Sequence, residues 1–223
     1  MKTILWYLGG ILIGYLIGNI NTAAIIARCK GFDIRTKGSG NAGASNALVT
    51  MGKGAAVCSA LVDILKAFLP VFLLLHVIRY PETCPHLPVV TGISVILGHM
   101  FPFWMQFRGG KGFASLLGLI LALSWQFFLV CIGLIVVILL VTRYIALATI
   151  LCAAALPVFW FIRTGDILET VLLAAAAVII IVKHRLNIKR ICSGTEIKLQ
   201  LKKYDTDSDA KKSDAKDSDA KES

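Results

Sequence analysis

The chain has 223 residues, of which 57% are hydrophobic and 16% charged, with a mean hydropathy of +0.78 and a formal net charge of +10. A soluble globular domain of this length carries more charge, so that class is excluded and the long apolar runs indicate a polytopic membrane protein. Six cysteines, at 29, 58, 84, 131, 152 and 192, include no C-x-x-C pair. They read as small hydrophobes in helix packing, not as a zinc site or a disulfide framework.

A hydrocarbon core of about 30 Å takes roughly 20 apolar residues per helix. On that measure spans are expected over 3–27, 55–78, 88–105, 113–142, 145–162 and 167–183. Lys2 before an apolar run could open a signal peptide, but the run is long and no small-residue cleavage site follows, so it reads as a helix. As one helix, the run 113–142 would reach about 45 Å. The alternative is a hairpin of two short spans turning near Ser124–Trp125–Gln126.

Charge parity separates the two. The loop 28–53 carries Arg28, Lys30, Arg35, Lys37 and Lys53, which places it in the cytoplasm by the positive-inside rule. The N-terminus and residues 79–87 are then outside, and Arg108 and Lys111 inside. A single span over 113–142 would leave the basic run KHRLNIKR outside, whereas the hairpin returns it to the cytoplasm. The expected fold is therefore all-α, with seven transmembrane helices, N-terminus outside and C-terminus cytoplasmic. That arrangement puts 13 basic residues inside and three outside (Lys2, Arg79 and Arg163), with Lys66 inside a helix.

Residues 1–203 form the expected transmembrane domain. From Tyr204 to Ser223 the chain is a near-repeat of SDAK with no large apolar residue after Tyr204, which predicts a disordered, charged cytoplasmic tail. Residues 1–201 hold 17 Lys/Arg against six Asp/Glu, a net of +11. Such an excess marks cytoplasmic loops and, where clustered, an anionic ligand or lipid headgroups. His76 and His86, near the outer loop, are expected to face solvent, and His99 to be structural. Asp63 and Lys66, a charged pair in an apolar run, are expected to pair internally or to line a cavity.

The stretch GSGNAG, Gly38 to Gly43, spells G-x-G-x-x-G, and Asp63 lies 20 residues beyond it. It fails as a dinucleotide fingerprint, because it follows a transmembrane helix and a basic loop and not a strand. A Walker loop fails as well, since Gly54 follows Lys53 where Ser or Thr is required, and no H-x-x-x-x-D acyltransfer motif follows His99 or His184.

Three polar islands share the expected cytoplasmic face, each beside a helix end: GSGNAGASNALVTMGKG (38–54), GHMFPFWMQFRGGKG (98–112) and KHRLNIKRICSGTE (183–196). Glycines let backbone amides approach an anion, helix N-termini add a favourable dipole, and Lys and Arg supply charge-assisted bonds. The candidate phosphate-binding residues are Gly38, Gly40, Asn41, Gly43, Asn46, Lys53, Arg108, Gly109, Gly110, Gly112 and Gly194. His184 and Asn187, three apart, share a face if the helix continues.

The islands resemble the bacterial acyl-phosphate:glycerol-3-phosphate acyltransferase family (PlsY). GSGNAGASN is similar to its first signature, GSGN-x-GATN. GHMFPFWMQFRGGKG is similar to the second, GH-x-FP-x-F with a basic residue and GGKG. KHRLNIKRICSGTE is similar to the third, HR-x-NI-x-R ending near G-x-E. The resemblance implies a seven-helix enzyme of the bacterial inner membrane with a cytoplasmic active site. Its reaction would move an acyl chain from acyl phosphate to the 1-hydroxyl of glycerol 3-phosphate, giving lysophosphatidic acid and phosphate, the first acylation of phospholipid synthesis. It further implies Ser39 as the essential serine, Lys111 as a ligand of substrate phosphate, and His184 and Asn187 as holders of glycerol 3-phosphate.

No cofactor, metal or nucleic acid is expected. The expected partners are the two substrates, the bilayer and the soluble enzyme that makes acyl phosphate. Two positions depart from the family: Val49 stands where it has an arginine, leaving Lys53, or Arg108 with Lys111, to supply the charge, and Leu186 stands where a glutamate is common. The alternative reading is a secondary transporter of a phosphorylated metabolite, although such sites typically lie near the bilayer midplane.

Overall fold

A computed structural model describes residues 1–196 and 198. The expected domain boundary after residue 203 and the tail 204–223 lie outside the described residues.

Ten α-helices occur among the described residues: α1 (Lys2–Gly18), α2 (Thr22–Cys29), α3 (Ala44–Met51), α4 (Lys53–His76), α5 (Leu87–Met100), α6 (Phe113–Leu123), α7 (Trp125–Thr142), α8 (Ile145–Thr164), α9 (Ile167–Lys183) and α10 (Arg185–Cys192). The protein is an all-helical integral membrane protein. Among the described residues, five segments are long and apolar enough to cross a bilayer: Lys2–Cys29, Lys53–His76, Leu87–Met105, Trp125–Thr142 and Ile145–Thr164. A sixth follows if α9 and α10, bent by 57° at His184, are taken as one.

The long run 113–142 breaks at Ser124, inside the expected turn. The Ser124 hydroxyl accepts from the Phe127 amide at 3.3 Å, capping α7. Its first half, α6, has 11 residues, about 16 Å of helix and half of a hydrocarbon core. It compensates by being enclosed: Ser115 to Ile120 are all buried.

Small residues set the closest crossings. Gly10, Gly14 and Gly18 recur every fourth residue on one face of α1. A methyl on Gly14 would come within 2.6 Å of the Thr91 carbonyl of α5. Gly18 and Gly98 face each other so closely that a Cβ on either meets the other helix's backbone. Where lipid removes the hydrophobic drive for helix association, such close backbone approach supplies it by dispersion. In the opposite sense, Val130, Leu140 and Val141 of α7 stay exposed at 63%, 68% and 78%, a face that only lipid satisfies.

Two expectations are corrected. The first span is broken within its length: α1 stops at Gly18 and α2 restarts at Thr22, where Asn19 Nδ2 folds back on the Tyr15 carbonyl (2.6 Å), Asn21 Nδ2 donates to the Ala42 carbonyl (2.9 Å) and Asn21 Oδ1 accepts from the Ala24 amide (2.9 Å), capping α2. His86 is half-buried, packed between the starts of α5 and α9, and does not simply face solvent.

Candidate active site

The first island is organised by Asn46, buried in the first turn of α3. Its Nδ2 donates to the carbonyls of Ile34 (3.1 Å) and Lys37 (3.0 Å), and its Oδ1 accepts from the Ser39 amide at 2.8 Å. One side chain therefore closes the loop and fixes the backbone of Ser39, whose hydroxyl is left on an exposed residue. Gly38 (φ +60°) and Gly40 (φ +72°) flank it in left-handed conformations that side chains resist. Gly43, buried, caps α3, and Asn41 is half-buried beside it.

The second island hangs from a buried charge cluster. The Lys66 ammonium forms an ion pair with Asp63 Oδ1 at 2.7 Å and hydrogen-bonds to the Ile20 carbonyl (2.6 Å) and His99 Nδ1 (2.9 Å). This ties α4 to the break in α1 and to the end of α5, so the charged pair does pair internally. His99 Nε2 then points at Gly110. The amides of Gly109 and Gly110 donate to the Met100 and His99 carbonyls, both at 3.1 Å, so these glycines serve close packing of the loop on His99. Gln106 (φ 56°) and Phe107 (φ 59°) both hold left-handed geometry just before Arg108, a strain of about 1–2 kcal/mol each that the surrounding turn sustains. Gly112 (φ +89°) caps α6 immediately after Lys111.

Replacing Gly110 with alanine places a Cβ against the His99 ring, with Cε1 at 2.7 Å and Cδ2 at 3.0 Å. We expect a loss of about 1–3 kcal/mol, read as a lower thermal midpoint in detergent. A midpoint equal to wild type would show that the loop can move aside.

The third island meets the second directly. Lys111 Nζ donates to Asn187 Oδ1 at 2.5 Å; Asn187 Nδ2 donates to Glu196 Oε1 at 2.5 Å, and Arg190 Nε to Glu196 Oε2 at 3.0 Å. Gly194 (φ +70°) turns the chain so that Glu196 returns to α10. His184 is buried at the α9–α10 break, with Nδ1 2.8 Å from the Ile180 carbonyl. A carbonyl only accepts, so Nδ1 carries the proton and Nε2 presents a lone pair. Burial first, then the Lys111 charge, lowers the His184 pKa to about 4, against the pull of the Ile180 carbonyl and Glu196. The ring is therefore neutral at ordinary pH. Lys111 is likewise lowered, by burial and then by the Arg190 charge, with Glu196 opposing. A partly dehydrated ammonium beside a helix N-terminus is suited to an anion.

The structure thus gathers Lys111, His184 and Asn187 into one cluster. It holds Gly38, Ser39, Gly40 and Asn46 in another, joined to the second island where Arg35 Nη1 donates to the Met105 carbonyl at 2.7 Å. Lys53 and Arg108 are exposed outside both clusters, and Val49 is 69% exposed on α3. Four organising residues were not among the candidate site residues, although Arg190 and Glu196 lie in the third motif. Arg190 and Glu196 complete the Asn187 network. Asn19 Oδ1 accepts from the Phe103 amide (2.9 Å), and Asn21 donates to the Ala42 carbonyl (2.9 Å). The signal for the last two was present: two asparagines in the middle of an apolar run.

Residues 8–194 match the family model for glycerol-3-phosphate acyltransferase. The chain belongs to the glycerol-3-phosphate acyltransferase family. Curated family members include the glycerol-3-phosphate acyltransferase of Prochlorococcus marinus (strain MIT 9215), 36% identical over 83% of this chain and 93% of its own. That of Geobacter sulfurreducens (strain ATCC 51573 / DSM 12127 / PCA) is 39% identical over 82% of this chain and 93% of its own. Among solved structures, the fold matches crystal structures of PlsY (YgiH), an integral membrane glycerol 3-phosphate acyltransferase. Its glycerol 3-phosphate form gives a TM-score of 0.80 at 32% identity, over 87% of this chain and 96% of that one. Its lysophosphatidic acid form gives 0.77 at 31%, over 87% and 95%. Membership of the acyltransferase family decides between enzyme and transporter in favour of the enzyme.

Proposed function

We propose that this glycerol-3-phosphate acyltransferase takes its acyl chain from an acyl phosphate and delivers it to the 1-hydroxyl of glycerol 3-phosphate, at the cytoplasmic face of the bacterial inner membrane. The observation that carries the proposal is the Lys111–Asn187 hydrogen bond, which brings the second and third motifs together beside the N-terminus of α6. The catalytic unit comprises residues 1–203 and crosses the bilayer seven times, with α6 and α7 as separate crossings. The cytoplasmic assignment is supported by the basic residues that crowd the ends bearing the three islands.

An acyl phosphate is a mixed anhydride, so its carbonyl is already activated. The glycerol 3-phosphate hydroxyl oxygen forms the new ester bond to the carbonyl carbon. The bond from that carbon to the phosphate oxygen breaks, phosphate leaves with the electron pair, and the hydroxyl proton passes to phosphate oxygen of the substrates. Lys111, the first-turn amides of α6 and the Ser39 loop offset the repulsion of the two phosphates, so acceleration comes from orientation and electrostatics. Asn187 aims Lys111, and His184 Nε2 accepts from and orients the glycerol.

The test is purified protein in liposomes with glycerol 3-phosphate and either palmitoyl phosphate or palmitoyl-CoA. Lysophosphatidic acid is expected from the phosphate donor; product from the thioester alone would overturn the donor assignment. His184→Ala is expected to raise KM for glycerol 3-phosphate about tenfold with kcat nearly unchanged. A kcat loss of about 10²-fold at constant KM would instead make His184 the general base.

A further inference from the structure

At the opposite end of the bundle, three side chains converge that the acyl transfer does not use. His86 precedes α5, Asp166 caps α9, and Glu169 lies in the first turn of α9. The acyltransferase motifs sit at the other ends of these helices, about 20–25 Å away along their axes.

We infer that His86, Asp166 and Glu169 form a binding site for a divalent cation of the zinc type. One ligand atom from each of the three residues lies within 4.8 Å of the other two. His86 Nδ1 is 3.4 Å from Asp166 Oδ2 and 3.3 Å from Glu169 Oε1. A good N–H···O bond is about 2.9–3.0 Å, and a single Nδ1–H cannot point at both carboxylates. The same separations are the edge of a tetrahedron whose metal bonds are about 2.0–2.1 Å, roughly 3.3–3.4 Å.

The remaining carboxylate oxygens are held from behind. Asp166 Oδ1 accepts from the Glu169 amide at 2.8 Å, and Glu169 Oε2 from Trp160 Nε1 at 2.7 Å. Each carboxylate therefore turns its other oxygen toward His86, as outer-shell partners turn metal ligands. The side chains are 23%, 31% and 12% exposed, open to an ion yet partly dehydrated. A neutral imidazole with two carboxylates carries charge −2, matching a dication. One nitrogen and two oxygens with a fourth position for water suit zinc; magnesium and calcium prefer six or more oxygens. A bound ion would join the loop before α5 to the α8–α9 turn.

The experiment uses full-length protein in detergent, freed of any polyhistidine tag, in equilibrium dialysis with zinc chloride alone. Wild type is expected to hold one zinc per chain. His86→Ala and Glu169→Gln are expected to lose it, and Trp160→Phe, which removes only the outer donor, to weaken it about 10- to 100-fold. All three should still acylate glycerol 3-phosphate, which verifies folding. Cobalt in place of zinc should give tetrahedral d–d bands without thiolate charge transfer. Equal zinc uptake by wild type and His86→Ala, no uptake by either, or a thiolate band would overturn the assignment and leave His86 a hydrogen-bonded bridge.

Discussion

Lys111→Ala is expected to lower kcat/KM for acyl transfer by about 10²- to 10³-fold, the cost of removing one preorganised group from a water-poor site. Lys111 is half-buried between the second and third motifs, with Asn187 as its hydrogen-bond partner and Arg190 close enough to depress its pKa. A phosphate arriving there meets an ammonium that burial has already partly dehydrated. Lys111→Arg should recover little, because a planar fork does not reproduce a compact point charge at 2.5 Å from Asn187 Oδ1. Steady-state assays in proteoliposomes, with both substrates varied, measure the effect. A loss smaller than threefold in Lys111→Ala would remove Lys111 from the site and shift the phosphate toward Arg108 or Lys53.

The second large effect concerns folding. Asp63→Ala should destabilise the protein by about 3–5 kcal/mol, because it leaves the Lys66 ammonium buried without a counter-charge. Asp63 and Lys66 are 2% and 6% exposed. Lys66 also anchors Ile20 and His99, so its displacement would loosen the α1–α2 break and the Gly109–Gly110 loop together. Asp63→Leu combined with Lys66→Met removes both charges and should cost less than Asp63→Ala alone. Unfolding in mixed micelles compares the variants. A single substitution milder than the double would show that the ammonium finds water or another anion in the folded state.

Much of this was legible in local sequence. Apolar runs located the five segments that are long and apolar enough to cross a bilayer among the described residues to within a few residues, since a spanning helix must satisfy its own backbone bonds and face lipid. Ser124 was legible as a break because a 30-residue helix outruns a bilayer. Glycine-rich, basic islands marked the candidate site because positive φ and charge are properties of short segments.

What only the tertiary structure decided is which distant groups meet. Asn187 bonds Lys111 across 76 residues, Phe103 bonds Asn19 across 84, and His86 faces Glu169 across 83. Hydropathy in a membrane helix barely distinguishes a packed face from a lipid-facing one, so no periodicity announces these pairings. The glycines at 14, 18 and 98 decide one of them, Asn19 with Phe103, by letting α1 and α5 touch backbone to backbone. That contact sets where the polar side chains of each helix emerge. The amino-acid sequence by itself therefore determined the class, the helices and the motifs, and helix packing determined the networks that aim them.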